Sequence, residues 1–318
     1  MIGLVGSSGF IGRTVLERAV AKGVPMRAFA RSGPETGGYD HGVPILRYSL
    51  TDAYFPALFA GLHTLVLTAS ATRPNTPANS PAHEWLANVA PHLALFESLL
   101  DSDVSHIVYL SSGGAIYGDR ATPEPIPETA PSRPADPYGY GKLSIEAALP
   151  VIWKGQGKGG RRRFSILRPS NPIGRHQLGS VGAHGLVTTV LHHLRNGLPI
   201  SVQGDGQAVR DYFSADDLAD LVLAVVRSDP GLENVTVNAG SGIGLSILDV
   251  IERCAAYLGT QPDIRMNPGV QPAVRCNVLD TALAQSLFGW RARTTFADCL
   301  RQLDAALSAR DAARSQGE

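Results

Sequence analysis

The glycine-rich stretch at residues 6–12 constrains the fold of this chain more than any other feature. It reads Gly-Ser-Ser-Gly-Phe-Ile-Gly, follows an apolar run from Met1 to Val5, and opens a segment with apolar residues at helical spacing. Glycines let the backbone turn tightly and approach a pyrophosphate, and the first turn of a helix offers free N–H groups. The order strand, glycine turn, helix therefore predicts a dinucleotide site, whereas the spacing alone also fits a plain tight turn.

The composition is that of an ordinary globular protein. The chain has 318 residues, is 44% hydrophobic, and balances 28 lysines and arginines against 28 aspartates and glutamates. A formal net charge of zero gives no global attraction to nucleic acid or to an anionic membrane, and no apolar run approaches the ~20 residues of a membrane helix. The three cysteines, Cys254, Cys276 and Cys299, lack metal-ligand spacing. We therefore expect a cytoplasmic protein with reduced thiols and no metal site.

The second predicted strand, residues 24–30, bears on the choice of dinucleotide. In a dinucleotide-binding fold the end of this strand faces the adenosine ribose. A carboxylate there accepts the ribose hydroxyls of NAD, and an arginine pairs with the 2′-phosphate of NADP. Ala30 stands at the carboxylate position and Arg31 follows it. The pair favours NADP; the alternative is that Arg31 stacks on adenine and the cofactor is NAD.

Strands and helices alternate along the first half of the chain. Further strands are predicted at residues 45–50, 62–69 and 106–110. A long amphipathic helix is predicted from Glu84 to Leu100, in which Pro91 should produce a kink or mark the true start. This alternation predicts an α/β fold with a doubly wound parallel sheet of the Rossmann type.

Tyr138 and Lys142 form the candidate catalytic pair. They lie four residues apart in a predicted helix, so both project from the same face. A lysine ammonium near a phenol favours the phenolate and lowers the pKa of the tyrosine. Such a tyrosine can exchange a proton with a sugar hydroxyl or carbonyl while hydride moves to or from nicotinamide. Ser111 or Ser112, at the end of the preceding strand, can share that hydrogen bond.

Eight stretches spread along the chain form a characteristic set. They are G-S-S-G-F-I-G at 6–12, Y-L-S-S-G-G-A-I-Y-G at 109–118, P-Y-G-Y-G-K at 137–142, L-R-P-S-N-P-I-G at 167–174, G-D-G-Q-A-V-R-D-Y at 204–212, N-A-G-S-G at 238–242, and V-L-D with L-F-G-W at 278–280 and 287–290. With them the chain resembles the extended short-chain dehydrogenase/reductases, in the branch of NAD-dependent epimerase/dehydratases that act on nucleotide sugars. The sequences of these stretches are most similar to those of the UDP-glucose 4-epimerase-like members.

The resemblance implies a cofactor-binding set. It assigns the pyrophosphate to Gly6, Ser8, Gly9, Phe10, Ile11 and Gly12, and the cofactor groove to Thr68, Ala69, Ser70 and Asn88. Tyr138 would be the acid and base, and Lys142 its partner and a ligand of the nicotinamide ribose.

The resemblance also implies a substrate-binding set. Residues Pro169 to Asn171 would bridge nicotinamide and substrate, Arg210 would bind the nucleotide diphosphate because a guanidinium suits paired phosphate oxygens, and Tyr212 would touch the substrate. A further arginine normally closes on the diphosphate, and both Arg265 and Arg275 are candidates for that position.

The chain departs from the family pattern beside the catalytic tyrosine. The position of the usual catalytic Ser or Thr holds Gly113, so Ser112, one residue earlier, is the expected substitute at the substrate. Gly114 and Ala115 stand where the dehydratases have an Asp-Glu pair. Since neither residue can transfer a proton, dehydration is not expected.

The leading functional hypothesis is epimerisation at C4 of a nucleotide sugar. The alternatives are an NADPH-dependent reductase of a nucleotide-linked 4-keto sugar, which Ala30-Arg31 favours, and a catalytically silent NADP-binding regulator. The resemblance further implies a homodimer formed through the helices 84–100 and 138–154. We expect a nucleotide-binding domain at 1–171, to which 205–240 returns, and a smaller substrate domain from 172–204 and 241–318.

Overall fold

The structure is a computed structural model that describes most of the chain. It does not describe residues 32–38, 41, 53–55, 75, 77–78, 121–123, 178–184, 230, 233, 270–272 and 316–318. The strands are β1 (Ile2–Val5), β2 (Met26–Ala30), β3 (Tyr39–Asp40), β4 (Val43–Arg47), β5 (Thr64–Leu67), β6 (His106–Leu110), β7 (Gln156–Gly157), β8 (Gly160–Arg161), β9 (Arg163–Pro169), β10 (Asn171–Ile173), β11 (Ile200–Gln203), β12 (Val209–Ser214), β13 (Val235–Ala239), β14 (Gly244–Ser246), β15 (Ile264–Asn267) and β16 (Cys276–Asn277). The helices are α1 (Phe10–Ala21), α2 (Pro56–Phe59), α3 (Pro81–Glu84), α4 (Ala90–Ser98), α5 (Gly113–Ile116), α6 (Pro137–Ile152), α7 (Leu186–Arg195), α8 (Ala215–Val226), α9 (Ile247–Leu258), α10 (Ala282–Phe288) and α11 (Phe296–Ser315).

The central sheet has the strand order β13-β9-β6-β5-β1-β2-β4-β3. Neighbouring strands run parallel, except for β3, which pairs antiparallel with β4 at one edge. The chain builds outward from β1 in one direction and then continues from β5 in the other, so the strand order reverses beside β1. Ligands of such sheets bind at this reversal, outside the carboxyl ends of the strands. The predicted doubly wound Rossmann-type sheet is confirmed.

Both faces of the sheet are buried, as a parallel sheet requires. Alternation along β2 places Ala28 in the hydrophobic cluster under α1 and α8, and Phe29 in the cluster under α4 and α6. Helix α6 contributes Ile145 and Leu149 to the second cluster, and Trp153, directly after the helix, joins them. The helix that carries the candidate catalytic pair is therefore held on the sheet by its apolar face.

The helix predicted from Glu84 to Leu100 is a composite. It starts with α3, continues as a π-helical turn at Trp85–Val89, and becomes α-helical again at α4, with Pro91 in the first turn of α4. Proline has no N–H to donate to the preceding turn, and the wider π turn is the local adjustment before it. Pro91 therefore does not mark the true start of the helix, which already begins at Pro81; it follows the local π-helical adjustment.

The second half of the chain forms smaller sheets and a further hydrophobic cluster. Strands β10, β12, β14 and β16 make one sheet, and β11 pairs with β15 in another. Val190, Val250 and Leu303 belong to the cluster that α7, α9 and α11 enclose. The predicted domain boundaries stay a prediction. Across the described ranges, no helix combines the length and apolarity needed to cross a membrane.

Candidate active site

Two glycines make close backbone contact at the turn between β1 and α1. A Cβ on Gly12 would lie 2.1 Å from the carbonyl oxygen of Gly6, and a Cβ on Gly6 would lie 2.6 Å from the backbone nitrogen of Ala69. Gly6 also has a φ of 91°, in the left-handed region that favours glycine. The backbone N–H groups of Gly6 and Ser7 donate to the carbonyl of Phe29, at 2.9 and 3.0 Å. Helix α1 therefore begins directly beside the ends of β1 and β2.

The first turn of α1 is open to an anion. Gly9 precedes the helix in an extended conformation, the helix has no side-chain cap, and its first turn carries no acidic residue. The first N–H groups of a helix lack partners within it and carry partial positive charge. Ser8 is exposed, Ile11 packs on the core, and a ring carbon of Phe10 lies 3.2 Å from where a Cβ on Gly174 would stand. This cradle fits the pyrophosphate of a dinucleotide, and the individual contacts stay predictions.

Residues 68–70 follow β5 at the same edge of the sheet. Thr68 Oγ1 donates to the carbonyl of Val5 at 2.9 Å, which joins the two strand ends, and the backbone of Ala69 contacts the glycine turn. Ser70 Oγ donates to the carbonyl of Thr72 at 2.9 Å. The three residues predicted to line the cofactor groove thus lie beside the pyrophosphate cradle.

Asn88 lies behind this loop, and its amide is bonded to protein groups. Its Oδ1 accepts from the backbone N–H of Ala71 at 2.8 Å, and its Nδ2 donates to Thr72 Oγ1 and to Glu84 Oε1, both at 2.8 Å. The side chain is buried. Asn88 supports the loop, and a direct contact with the cofactor stays a prediction.

Helix α6 brings Tyr138 and Lys142 to the carboxyl end of β6. The carboxylate of Asp136 accepts from the backbone N–H of Gly139 at 2.7 Å and caps the helix just before the tyrosine. Lys142 is 5% exposed, and its Nζ donates to the carbonyl of Leu110 at 2.9 Å. Nζ lies 5.7 Å from the centroid of the Tyr138 ring. The pair is therefore assembled at the predicted edge of the sheet.

Ser112, and not Ser111, meets the tyrosine. The side chain of Ser112 lies close enough to the phenol of Tyr138 to lower its pKa as a hydrogen-bond partner, whereas Ser111 Oγ is buried with no partner among the described residues. A Cβ on Gly113 would lie 2.6 Å from Cδ1 of Leu279. The usual position of the catalytic hydroxyl therefore has no room for a side chain, and the neighbouring serine supplies the hydrogen bond.

The electrostatics of the pair differ from the expectation. Burial raises the pKa of Tyr138, the hydrogen bond from Ser112 opposes that rise, and the negative charge of Glu84 adds to it. The prediction that Lys142 lowers the pKa of Tyr138 is wrong here, because burial dominates. Burial also lowers the pKa of Lys142 to about 8, against the opposing charges of Glu84 and Glu146. At neutral pH the site thus holds a neutral phenol beside an ammonium group.

Glu84 is a buried carboxylate that the sequence pattern did not single out. It is 1% exposed and accepts from Thr72 Oγ1 at 2.5 Å, from Asn79 Nδ2 at 3.0 Å and from Asn88 Nδ2 at 2.8 Å. A Cβ on Gly141 would lie 2.5 Å from Cγ of Glu84. Glycine inside a helix costs about 1 kcal/mol relative to alanine and signals close packing, so Gly141 was the signal for this neighbour.

A buried ion pair fixes α6 against the sheet. Arg168 Nη2 lies 2.6 Å from Glu146 Oε2, and both side chains are almost fully buried. Arg168 Nη1 donates to the hydroxyl of Tyr117 at 2.8 Å, which in turn donates to Asn238 Oδ1 at 2.8 Å. Since Glu146 lies two turns after Tyr138 on the same helix, this network holds the tyrosine in register with the end of the sheet.

The predicted bridge between cofactor and substrate lies at the junction of β9 and β10. Pro169 ends β9, and Asn171 begins β10, where it stands opposite Tyr212 in parallel register. Asn171 Nδ2 donates to the carbonyl of Asp211 at 3.0 Å, and its Oδ1 lies 3.8 Å from where a Cβ on Gly114 would stand. Asn171 therefore contacts the turn that follows Ser112.

The two remaining substrate candidates make protein contacts. Arg210 Nη1 donates to the carbonyl of Val209 at 2.8 Å and Nη2 to the carbonyl of Val274 at 2.7 Å. The rings of Tyr212 and Phe296 are 6.1 Å apart, and burial raises the pKa of Tyr212 to about 12. Their roles in substrate binding stay predictions, and the contacts give Tyr212 a packing role.

Both alternatives for the closing arginine are engaged in ion pairs. Arg265 Nη2 lies 3.3 Å from Asp263 Oδ2, and Arg275 Nε lies 3.1 Å from Asp119 Oδ2. Asp119 follows the turn at Tyr117, next to the segment that carries Ser112. Arg275 is therefore the one of the two that lies near the candidate active site.

Arg31 is exposed directly after β2, and Ala30 before it is 1% exposed. The loop that follows, residues 32–38, lies outside the described residues. Within the described part of the chain, no group of three His, Cys, Asp or Glu side chains is arranged to hold a metal ion.

Known proteins share both the sequence pattern and the fold. The model of the NAD dependent epimerase/dehydratase family matches residues 2–240. The dTDP-4-dehydro-6-deoxyglucose reductase of Escherichia coli is 25% identical over 310 residues, 94% of this chain and 95% of its own. The UDP-glucose 4-epimerase of Neisseria gonorrhoeae is 31% identical over 230 residues, 67% of this chain and 66% of its own.

Solved structures superimpose over almost the whole chain. MoeE5 in complex with UDP-glucuronic acid and NAD gives a TM-score of 0.85 at 21% identity, covering 98% of this chain and 99% of its own. The UDP-glucose 4-epimerase of Thermus thermophilus in complex with NAD gives 0.81 at 25% identity, covering 97% of this chain and 99% of its own. With the glycine cradle, the Tyr138–Lys142 pair and the matching family model, the chain belongs to the NAD dependent epimerase/dehydratase family, as an enzyme of the extended short-chain dehydrogenase/reductase type.

Proposed function

We propose that this protein is an NAD(P)-dependent epimerase that inverts C4 of a nucleotide-linked hexose. The observation that carries the proposal is the placement of Tyr138 and the buried Lys142, whose Nζ lies 5.7 Å from the tyrosine ring centroid, at the sheet edge that also holds the glycine cradle. The epimerase relatives and the solved structures named for UDP-sugars support the substrate class.

Tyr138 carries the proton chemistry in this proposal. The tyrosine would do this as a phenolate, which the Lys142 ammonium and the positive charge of a bound oxidised nicotinamide would favour. The phenolate would accept the proton of the C4 hydroxyl as the carbon is oxidised. After the keto sugar has rotated, Tyr138 would return that proton to the C4 oxygen while hydride returns to the opposite face of C4. A bound nicotinamide supplies the reversible acceptor for the C4 hydride. Ser112 hydrogen-bonds the same oxygen and stabilises negative charge on it, and the Lys142 ammonium provides a positive charge nearby.

The nucleotide part of the substrate is assigned to the second half of the chain. Arg210 is the second residue of β12, and its guanidinium donates to two backbone carbonyls. We propose that it turns from these carbonyls to the diphosphate, because a guanidinium matches paired phosphate oxygens. Asn171, beside the turn after Ser112, is proposed to contact the sugar.

A reductase is the second candidate function, and Ala30-Arg31 favours it. A carboxylate at the end of β2 would repel a 2′-phosphate, and an alanine followed by an exposed arginine does not. A net reductase consumes NADPH, whereas an epimerase recycles a retained cofactor. The E. coli reductase that matches 94% of the chain supports this alternative for a nucleotide-linked 4-keto sugar.

One set of measurements separates these functions. The purified protein is analysed for bound NAD(H) or NADP(H), incubated with UDP-glucose and monitored by NMR, and then given a nucleotide-linked 4-keto-6-deoxy sugar with NADPH. An epimer formed without net cofactor change supports the epimerase, and stoichiometric NADPH oxidation supports the reductase. If Tyr138→Phe leaves either turnover unchanged, the proposed catalytic role of the tyrosine is wrong. If no sugar changes and no reduced cofactor is consumed, a silent NADP-binding regulator replaces both.

We also propose a homodimer that buries the two helices on the α6 face. Leu86 is 71% exposed in the segment before α4, and Val151 is 65% exposed on α6. Trp85 and Tyr140 add exposed rings to the same two elements. Apolar side chains on adjacent helices make a surface that a second copy can cover.

A further inference from the structure

We infer that Arg31 and Arg47 together form a binding site for the 2′-phosphate of NADP, with Arg47 supplied by the neighbouring strand. The inference rests on the proposed use of a dinucleotide cofactor and deepens it by naming a specificity residue that the sequence pattern did not single out. It makes the protein selective for the phosphorylated dinucleotide.

Strand pairing brings the two arginines to one corner of the sheet. Strands β2 and β4 are parallel, and Ala30 stands opposite Arg47 in their register. The backbone N–H of Tyr48 donates to the carbonyl of Ala30 at 2.9 Å, so the pairing continues to the ends of both strands. Arg31, the residue after Ala30, therefore lies beside Arg47 at the carboxyl edge, where ligands of this fold bind.

The corner that carries Arg31 and Arg47 also lies close to the pyrophosphate cradle. The glycine turn is hydrogen-bonded to the carbonyl of Phe29, one residue before Ala30. Strand β2 lies between β1 and β4, and neighbouring strands are about 4.8 Å apart. A dinucleotide whose pyrophosphate lay at β1 would therefore place its adenosine ribose near the end of β2, beside the corner that Arg31 and Arg47 form.

Side-chain alternation turns Arg47 to the face of the sheet on which α1 packs. Ala28, Ala30 and Ile45 all belong to the hydrophobic cluster under α1. Arg47 is two residues after Ile45 and so points to the same face, beyond the edge of that cluster. Its side chain is exposed.

The two guanidinium groups are available to a ligand. In the described part of the chain, neither Arg31 nor Arg47 has a hydrogen bond or an ion pair. Ala30 brings no negative charge to the corner, and the described carboxylate of Asp52 accepts from the backbone N–H of Ser49 at 2.7 Å. Two planar guanidinium forks that lack partners suit the oxygens of a phosphate monoester.

The test measures binding and needs no sugar turnover. Dissociation constants of NADP, NAD, adenosine 2′,5′-bisphosphate and 5′-AMP are measured by calorimetry for the wild type and for Arg31→Ala, Arg47→Ala and the double variant. Arg253→Ala, which removes an exposed arginine of α9, is the matched control. Thermal melting confirms that each variant is folded.

We expect the wild type to prefer each 2′-phosphorylated ligand by at least tenfold. Each single variant should weaken NADP binding about tenfold and change NAD binding less than twofold, and Arg253→Ala should change neither. Equal affinity of the wild type for NADP and NAD overturns the inference. An Arg47→Ala variant that keeps its NADP affinity, or loses NAD affinity equally, overturns the role of Arg47. A protein that passes this test and shows no sugar turnover refutes the proposed function and leaves the inference intact.

Discussion

Leu279 occupies the space that a side chain on residue 113 would need. Its Cδ1 lies 2.6 Å from the position of a Cβ on Gly113, and the carbonyl oxygen of Arg168 lies 2.8 Å from the same point. The hydroxyl beside the candidate catalytic tyrosine, Tyr138, comes instead from Ser112, which precedes the first residue of α5. Packing from a distant part of the chain thus excludes a side chain at position 113 and leaves Ser112 as the neighbouring hydroxyl.

Placing a serine at position 113 should destabilise the protein. Because a Cβ there overlaps a side chain and a backbone oxygen, Gly113→Ser is expected to cost about 1–3 kcal/mol of unfolding free energy. In a Leu279→Ala protein one of the two overlaps is absent. Gly113→Ser should therefore cost less unfolding free energy in that protein than in the wild type. Urea unfolding of the four proteins measures the coupling, and an additive result would contradict the contact.

Removing the hydroxyl of Ser112 should slow catalysis. Its hydrogen bond opposes the rise in the pKa of Tyr138, so Ser112→Ala should raise that pKa further and reduce kcat about 10–100-fold. Ser111→Ala, whose Oγ has no partner among the described residues, is the matched control and should stay within about threefold of wild type. Steady-state kinetics with the substrate found for the wild type provide the comparison, and equal effects of the two substitutions would refute the assignment.

The fold and the positions of the main motifs follow from local sequence, whereas this detail of the site does not. Residue type and spacing alone predict the glycine turn and the strand at 106–110, because the backbone conformation that each needs is set by local sequence. The exclusion of a side chain at position 113 depends on Leu279, which lies more than 160 residues away in the chain. The burial of Glu84 and the Arg168–Glu146 ion pair could not be predicted for the same reason, because both depend on residues that are distant in sequence and meet only in the folded chain.

Activity should fall as the pH rises through about 8. Burial lowers the pKa of Lys142 to about 8, and the proposed mechanism needs its ammonium form. The pH profile of kcat/KM in the free enzyme should therefore show an alkaline limb near pH 8. A profile that is flat to pH 9.5 would contradict the role of the charge.

Stability should move in the opposite direction over the same range. The unfolded chain keeps the Lys142 proton up to about pH 10.4, so between pH 8 and that value it binds more protons than the folded protein. This group alone makes the folded state more stable as the pH rises. Lys142→Met abolishes the contribution, and the difference between wild type and variant in urea unfolding from pH 7.5 to 10 isolates it.

Neutralising Glu84 should shift the alkaline limb to lower pH. The carboxylate raises the pKa of Lys142, so Glu84→Gln removes a charge that helps to retain the ammonium. The position of the limb does not depend on how much protein is folded, which separates this effect from lost stability. Glu252→Gln, on the exposed side of α9, should leave the limb unchanged.

A charge at Leu86 should dissociate the proposed dimer. Leu86→Lys places an ammonium group in the apolar surface formed by the segment before α4 and by α6, and its burial would be costly. Light scattering should report a monomer for this variant. Leu198→Lys, at an exposed leucine before β11, should keep the wild-type mass, and a wild type that is already monomeric would refute the dimer.

The buried contact between Gly6 and Gly12 and the exposed corner at Arg31 and Arg47 differ in how much substitution they allow. No side chain fits at either glycine, so substitution cannot retune the pyrophosphate cradle without breaking it. The side chains of Arg31 and Arg47 are exposed, so substitution there meets no buried neighbour in the described part of the chain. If the inferred 2′-phosphate site is correct, a change of dinucleotide preference would require substitutions only at these two exposed positions, while the buried glycine turn stays unchanged.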